Sequence, residues 1–161
     1  MFKFFSSIYI KKMALLSSVA IFLIILDRFL KVWATYVWSI TPLELSSWFS
    51  LDYSLNDSLA FSLPANKYFI ITVIILLLFV LTATFLKDFK NKNSQAVLWF
   101  SIILGASSNL IDRLLYGAVI DYLSLAWFTT FNLADCLIVV SVAILLLQEF
   151  FPRASQLDAY R

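Results

Sequence analysis

The stretch NLIDRLLYGAVIDYLSLAWFTTFNLADCLIVV, residues 109–140, sets three aspartates and two asparagines among runs of leucine, isoleucine and valine. The rest of the 161-residue chain is similarly apolar, since 62% of all residues are hydrophobic and only 14% are charged. An ordinary soluble domain is about half apolar. The composition therefore predicts a membrane protein, in which acidic residues inside apolar runs need an explanation.

Four segments are long and apolar enough to cross a bilayer, which takes about 20 residues of helix. They cover residues 13–34, 68–86, 96–115 and 133–151. The N-terminal MFKFFSSIYIKK resembles the basic start of a secretory signal, but no A-x-A cleavage site follows, so we expect the first span to be retained. The predicted fold is an all-α membrane protein in which residues 1–161 form one four-helix bundle.

Lysine and arginine in the connections predict the orientation, because they collect on the cytoplasmic side. On one side lie Lys3, Lys11, Lys12, Lys87, Lys90, Lys92, Arg153 and Arg161. The other side has only Lys67. Both termini are therefore expected in the cytoplasm, with residues 35–67 and 116–132 outside. The net charge of +2 calls for no nucleic-acid partner.

Three of the four predicted helices carry a carboxylate to one depth. A rise of about 1.5 Å per residue places Asp27 about 21 Å, and Asp112 and Asp135 about 24 Å, from the cytoplasmic face of a ~30 Å core. The charged residues near that level are Asp27, Arg28, Lys31, Asp112, Arg113 and Asp135. Charged groups in spanning helices usually face the bundle interior and mark a functional site. A polar pocket that opens outward is predicted.

Helical spacing supports one shared pocket, because residues three or four apart lie on the same face of a helix. Such sets are Asp27 with Lys31, Asn109 with Asp112 and Arg113, and Asn132 with Asp135. Asp121 follows a predicted turn at Tyr116 and Gly117, and a short external segment joins it to Asp135. A second carboxylate can therefore meet Asp135, although spacing alone does not rank Asp121 above Asp112.

The residue types that are missing narrow the chemistry. The chain has no histidine, and its one cysteine, Cys136, lies within an apolar run. A Ser-His-Asp triad, a Cys-His pair and a zinc site built on His or Cys clusters are excluded, and no glycine-rich phosphate loop is present. Two neighbouring aspartates remain, which can share a proton so that one activates water while the other donates. Neither a metal nor a cofactor is expected.

Four motifs together resemble those of the lipoprotein signal peptidases, the type II signal peptidases of bacteria. They are LDRFLKVWA, NDSLAFS, SNLIDRLLYGAVIDY and FNLAD, in the order typical of the family. The resemblance implies an intramembrane aspartic endopeptidase whose catalytic pair falls on Asp121 and Asp135. It also implies that the pocket and the substrate backbone are held by Asp27, Lys31, Asn56, Asn109, Asp112, Arg113 and Asn132.

The resemblance also carries expectations about substrate and location. Such enzymes remove the signal peptide before a diacylglyceryl-modified cysteine, so the expected partners are lipid-modified prolipoproteins and membrane lipids, at the outer face of the bacterial inner membrane. A monomer is expected. The alternation of FSLDYSLN, residues 49–56, predicts a half-buried strand, in the place of the family's small external sheet. Ser58 and Ser108 stand where the family usually has glycine.

Taken one at a time, the polar groups also have structural interpretations. Asn132 followed by Asp135 resembles a helix capping box. Asp27 and Lys31 could form a plain ion pair near the interface, with the lysine snorkelling to water. Asp121 alone would be an ordinary loop acid, and Asp112 with Arg113 a structural pair that pins two helices.

Two other functions are compatible with parts of the pattern. Intramembrane acidic residues also serve as proton relays, so a proton-coupled transporter or an assembly factor is an alternative. A serine protease could use Lys31 as base with Ser107, Ser108 or Ser124 as nucleophile.

Overall fold

The computed structural model describes residues 2–57 and 66–151, with side chains from residue 9 onward. The four α-helices there are α1 Phe2–Trp33, α2 Lys67–Lys90, α3 Ala96–Tyr116 and α4 Leu133–Phe150. The strands are β1 Leu43–Ser46, β2 Phe49–Asn56, β3 Val119–Leu125 and β4 Thr130–Phe131. Ser58 and the rest of NDSLAFS beyond Asp57 lie outside the described residues, as do Arg153 and Arg161.

The predicted spans match the four helices, each of which is long and apolar enough to cross a membrane. The helices run past the predicted ends: α1 continues as a π-helical turn to Trp38, and α2 includes the basic residues up to Lys90. Hydropathy marks only the apolar core, whereas backbone hydrogen bonding continues into the interface. Large apolar side chains such as Ile25, Phe79 and Val139 face outward on these helices. The predicted fold class is confirmed.

Helix α3 lies at the centre, where it packs against α1, α2 and α4. Gly105 permits the close approach to α4, because a Cβ at this position would lie 2.7 Å from Ile138 Cγ1 and 2.8 Å from the Ala134 carbonyl oxygen. Small residues of this kind allow helices to pack closely in membranes. Asn109 lies one turn further along α3, so this contact also sets how near its side chain comes to α4.

An antiparallel sheet in the order β1-β2-β3-β4 covers one end of the bundle. The strand predicted at residues 49–56 is β2, and the small sheet that the family resemblance implied is present. Both the α1-to-α2 and the α3-to-α4 connections contribute strands, so the sheet lies at the end opposite the start of α1 and the end of α4. The cytoplasmic placement of the termini, and residues 1–161 as one domain, stay predictions.

The turn predicted between α3 and the sheet is also confirmed. Gly117 caps α3 in the left-handed region, with φ of 82°, a conformation that glycine adopts without a Cβ clash. The chain then reverses directly into β3, which brings Asp121 back over the end of the helices.

A bulge in β2 decides which of its side chains face Asp121. Leu51 pairs with Leu123 and Ser54 with Asp121, so β2 advances three residues where β3 advances two. Without the extra residue, Leu51 and Asn56 would point to opposite faces, because side chains alternate along a strand. The bulge therefore turns Asn56 to the face of Asp121.

An apolar cluster fastens the sheet to the end of α1. Its buried members are Ala34, Trp38, Ile120 and Tyr122. The rings of Trp38 and Tyr122 are tilted against each other, with centroids 6.1 Å apart. Since Ile120 and Tyr122 flank Asp121 in β3, this packing also fixes the position of that carboxylate.

Replacement of Gly105 by alanine should destabilise the bundle by about 1–3 kcal/mol, because the added methyl group overpacks the contact between α3 and α4. Chemical denaturation in detergent micelles would measure the change. Val139→Ile, which adds one methylene at an outward-facing position of α4, is the matched control and should leave stability nearly unchanged. Equal stability of Gly105→Ala and the control would contradict this account of the interface.

Candidate active site

All nine predicted site residues are among the described ones. They meet beneath β2 and β3, where α1 and α3 end and α4 begins. Six of them are buried, namely Asp27, Lys31, Asn109, Asp112, Asp121 and Asn132. The other three, Asn56, Arg113 and Asp135, are half-buried. The structure places these residues together, as depth and spacing predicted. Their roles stay predictions.

Lys31 lies at the centre of the buried charges. Its Nζ is 3.2 Å from Asp27 Oδ2 and 2.7 Å from Asp112 Oδ2, and it donates to Asn109 Oδ1 at 2.9 Å. The Lys31 side chain is 1% exposed, so the idea that it snorkels to water is wrong. The plain ion pair with Asp27 is present, but Lys31 also joins α1 to α3.

Asp112 completes this ion-paired layer. Its second oxygen forms an ion pair with Arg28, and its Oδ2 also accepts from the Ile120 backbone N–H at 3.4 Å. Asp112 thus forms ion pairs with two cations of α1. Arg113 interacts electrostatically with Asp135, Asp121 and Asp112.

Asp27 connects the ion-paired layer to α4 and β3. It accepts hydrogen bonds from the Ser108 hydroxyl at 2.7 Å, the Tyr122 hydroxyl at 3.0 Å and the Ala134 backbone N–H at 3.1 Å. Sequence reasoning missed both hydroxyl partners. In the sequence, Ser108 stands out as a departure from the family pattern and as a candidate nucleophile, and neither feature indicates a hydrogen bond to Asp27. Tyr122 carried no signal, because aromatic residues are common in strands for packing alone.

Asp121 and Asp135 are held by side-chain amides. Asn132 donates from Nδ2 to Asp121 Oδ1 at 2.6 Å, and Asn56 donates to Asp121 Oδ2 at 3.1 Å. Asn109 donates to Asp135 Oδ1 at 2.7 Å. Asn132 and Asp135 also form the capping box suggested by their spacing. Asn132 therefore contacts both carboxylates and sets their separation.

The carboxylates fall into two classes by their partners. Asp27 and Asp112 form ion pairs with Lys31 and Arg28. Neutral amides hold Asp121 and Asp135, so a proton can arrive or leave there without separating a buried ion pair. This difference is consistent with Asp121, rather than Asp112, as the partner of Asp135, and the assignment of the pair stays a prediction.

The surroundings of Asp121 favour a retained proton. Burial raises the pKa of Asp121 to about 6, and the charge of Asp135 adds to the rise. Hydrogen bonds from Asn56 and Asn132 and the charge of Lys31 oppose it without cancelling it. Two interacting carboxyl groups titrate as a pair. The pair can therefore hold one proton near neutral pH.

The same geometry argues against the serine and lysine alternative. The Lys31 ammonium is engaged in ion pairs with two carboxylates and donates to the Ser108 hydroxyl oxygen at 3.5 Å, while the Ser108 hydroxyl donates its proton to Asp27. A lysine base needs a free amine that faces the nucleophile. No group of three or more metal-ligating side chains occurs in the parts of the chain described. The absence of a cofactor stays a prediction.

Comparison with known sequences gives consistent matches. A family model described as signal peptidase (SPase) II matches residues 19–151. A lipoprotein signal peptidase of Syntrophomonas wolfei is 37% identical over 130 residues, which are 77% of this chain and 85% of that protein. One from Beijerinckia indica is 34% identical over 148 residues, covering 84% and 87% of the two chains.

A shorter match is slightly more similar. A lipoprotein signal peptidase of Buchnera aphidicola is 38% identical over 100 residues, 56% of this chain. That match spans 62% of the relative's length. The sequence likeness to these proteins is therefore strongest over part of the chain.

Solved structures share the fold. A structure titled as a bacterial membrane enzyme superposes with a TM-score of 0.73, at 20% identity, over 91% of this chain and 92% of the other. A second structure with the same kind of title gives a TM-score of 0.66 at 21% identity. Both confirm the arrangement of four helices and a small sheet.

Lys31→Met should destabilise the protein by about 3–5 kcal/mol, because Asp27 and Asp112 would stay buried with the ion pair broken. Denaturation in detergent micelles measures this change. Lys87→Met, at an exposed position of α2, is the control and should have little effect. A Lys31→Met protein as stable as the Lys87→Met protein would show that the ion-paired layer does not hold the helices.

Proposed function

The chain belongs to the signal peptidase II family, and from this premise we propose that it is an aspartic endopeptidase. It removes signal peptides from diacylglyceryl-modified prolipoproteins at the outer face of the bacterial inner membrane. Asp121 and Asp135 are its catalytic pair. The seven other predicted residues hold this pair and the substrate in place.

One observation carries the proposal: the buried Asp121 and the half-buried Asp135 share a single asparagine, Asn132, and are held by neutral amides, while Asp27 and Asp112 are engaged in ion pairs. A general acid and a general base must change protonation state during each turnover. A change of protonation at Asp27 or Asp112 would disrupt an ion pair with Lys31 or Arg28, whereas Asp121 and Asp135 are held by neutral amides.

The pair would work with one shared proton. The ionised carboxylate takes a proton from a water molecule, whose oxygen bonds to the carbonyl carbon of the scissile peptide. The protonated carboxyl group gives its proton to the carbonyl oxygen, which forms a neutral tetrahedral intermediate. As the C–N bond breaks, a proton passes to the leaving amine and a carboxyl group remains on the signal peptide. No external reactant besides water is consumed.

The position of the pair suits a lipid-anchored substrate. Asp135 lies in the first turn of α4, and Asp121 lies in the sheet directly above the helices. A diacylglyceryl chain in the outer leaflet would hold the scissile bond near this depth. The outward-facing apolar side chains of the helices leave the bundle in contact with lipid, from which a modified chain can approach. A monomer suffices for this chemistry.

The transporter and assembly-factor alternative has less support. A proton relay needs acidic groups that continue toward the inner face. In the described helices the interacting acidic residues gather at the sheet end, whereas Asp88 and Glu149 lie at the other end. Family membership also favours the peptidase.

Asp121→Asn and Asp135→Asn should each reduce cleavage of a diacylglyceryl-modified prolipoprotein by roughly 10²- to 10⁴-fold, because an amide cannot exchange the required proton. Activity would be measured in liposomes, with an unlipidated substrate alongside. Glu44→Gln is the control, since this exposed carboxylate lies on the edge strand β1, which is not adjacent to the strand of Asp121, and the variant should retain activity.

Folding of each variant is checked by thermal unfolding in the same lipid. A folded Asp121→Asn or Asp135→Asn enzyme that cleaves at the wild-type rate would remove that carboxylate from the mechanism. Equal cleavage of the unlipidated substrate would contradict the proposed role of the lipid.

Activity should fall as the pH rises above about 6, because the pair then loses its shared proton, as the raised pKa of Asp121 indicates. Asn56→Ala removes a hydrogen bond that lowers this pKa, so the alkaline limb of kcat/KM should move to higher pH. Asn91→Ala, at an exposed position of the opposite end, should leave the profile unchanged. A limb that stays in place, or moves to lower pH, in Asn56→Ala would contradict this assignment.

A further inference from the structure

The N–H groups in the first turn of α4, which carries Asp135, donate hydrogen bonds to three different parts of the chain. The first N–H groups of any helix lack partners within that helix. Here the Leu133 N–H donates to the Tyr122 hydroxyl at 3.1 Å, and the Ala134 N–H donates to Asp27 Oδ1 at 3.1 Å. The Asp135 N–H donates to Asn132 Oδ1 at 2.9 Å, the usual local cap.

Two of these three acceptors therefore belong to other elements. Asp27 lies on α1 and Tyr122 lies on β3, and the Tyr122 hydroxyl donates in turn to the same Asp27 oxygen, Oδ1, at 3.0 Å. Both side chains are completely buried. The phenol is a stable donor, because burial and the charge of Asp27 raise the pKa of Tyr122. The carboxylate and the phenol thus form a cap for α4 that is remote in sequence.

This cap lies between the two members of the catalytic pair. Tyr122 directly follows Asp121 in β3, and the residues that it and Asp27 bind, Leu133 and Ala134, directly precede Asp135 in α4. Movement of the α4 start relative to β3 would change the separation of the two carboxylates. The cap is the contact best placed to prevent that movement.

We propose that Tyr122 is a positioning residue for the peptidase reaction, and that it acts through Asp27 by fixing the first turn of α4 beside β3. The charge of Asp27 accordingly serves the α4 N-terminus, where the helix dipole favours an anion. Neither residue touches the reacting atoms. The expected effect on catalysis rests on the proposed function, whereas the expected effect on the first turn of α4 does not.

Tyr122→Phe tests the inference with the packing of the ring preserved. The kcat for a lipid-modified substrate should fall by roughly three- to tenfold with KM unchanged, which corresponds to loss of one or two hydrogen bonds. Tyr53→Phe is the matched control, because Tyr53 packs against the same apolar cluster and its hydroxyl forms no hydrogen bond with the described residues. Its kcat should equal that of the wild type.

The pH profile separates positioning from a general loss of folded protein. The groups that act on Asp121 are Asp135 of α4, Lys31 of α1 and Arg113 of α3. If the α4 turn moves away, Asp121 loses part of the effect of Asp135, which raises its pKa, and of Asn132, which lowers it; because the effect of Asp135 is the larger, the alkaline limb of kcat/KM should shift to lower pH in Tyr122→Phe. A smaller folded fraction would lower the plateau without moving the limb, and that result would overturn the inference.

A double-mutant cycle tests whether Tyr122 acts through Asp27. Asp27→Asn keeps an oxygen acceptor and should be impaired, and adding Tyr122→Phe to it should cost less than Tyr122→Phe costs in the wild type. Additive effects on kcat would contradict a shared path.

Amide hydrogen exchange gives a result that does not require activity. Exchange at Leu133 and Ala134 should accelerate in Tyr122→Phe but not in Tyr53→Phe. If exchange is faster in Tyr122→Phe but the wild-type protein cleaves no prolipoprotein, the cap is supported and the proposed function is rejected. Unchanged exchange with an unmoved pH limb, in an active enzyme, would reject the cap and preserve the function.

Discussion

The ammonium of Lys31, buried between Asp27 and Asp112, is the constraint on which the rest of the structure depends. A charge removed from water and lipid headgroups is tolerated only when it is paired and hydrogen-bonded. Since Asp112 lies on α3 and Lys31 on α1, the two helices must meet at this depth. Lipid tails provide little hydrophobic drive for helix association, so polar contacts of this kind, together with the close packing at Gly105, select one arrangement of the bundle.

Beside the ion-paired layer lies a second layer, formed by Asp121, Asp135 and the amides that hold them, which can exchange protons. Lys31 donates to the oxygen of Asn109, which orients the amide nitrogen of that side chain toward Asp135. Asn132 then links Asp135 to Asp121. Charge is thus balanced in the layer that holds the helices, and neutral amides orient the layer that can exchange protons. The division explains how four carboxylates, three of them buried, coexist in one small site without all having to be ionised.

The external sheet contributes as much as the helices. It covers the end of the bundle, buries Asp121 and thereby raises the pKa of that residue. The bulge in β2 turns Asn56 toward Asp121, and the cluster around Trp38 holds β3 against α1. A polar pocket open to water would stabilise two ionised carboxylates, whereas a covered one favours a shared proton. The sheet is therefore part of the site as well as a connection between helices.

The sequence by itself determined the membrane class, the four spans, the strand at residues 49–56 and the common depth of three carboxylates. These features follow from local hydropathy, strand alternation and the fixed rise of a helix, all of which act between near neighbours in the chain. Only the tertiary structure separated Asp121 from Asp112 and brought Ser108 and Tyr122 to Asp27, from 81 and 95 residues away. Hydrogen-bond partners so distant leave no periodic trace in a single sequence, because their meeting depends on helix packing and strand register, which no local pattern encodes.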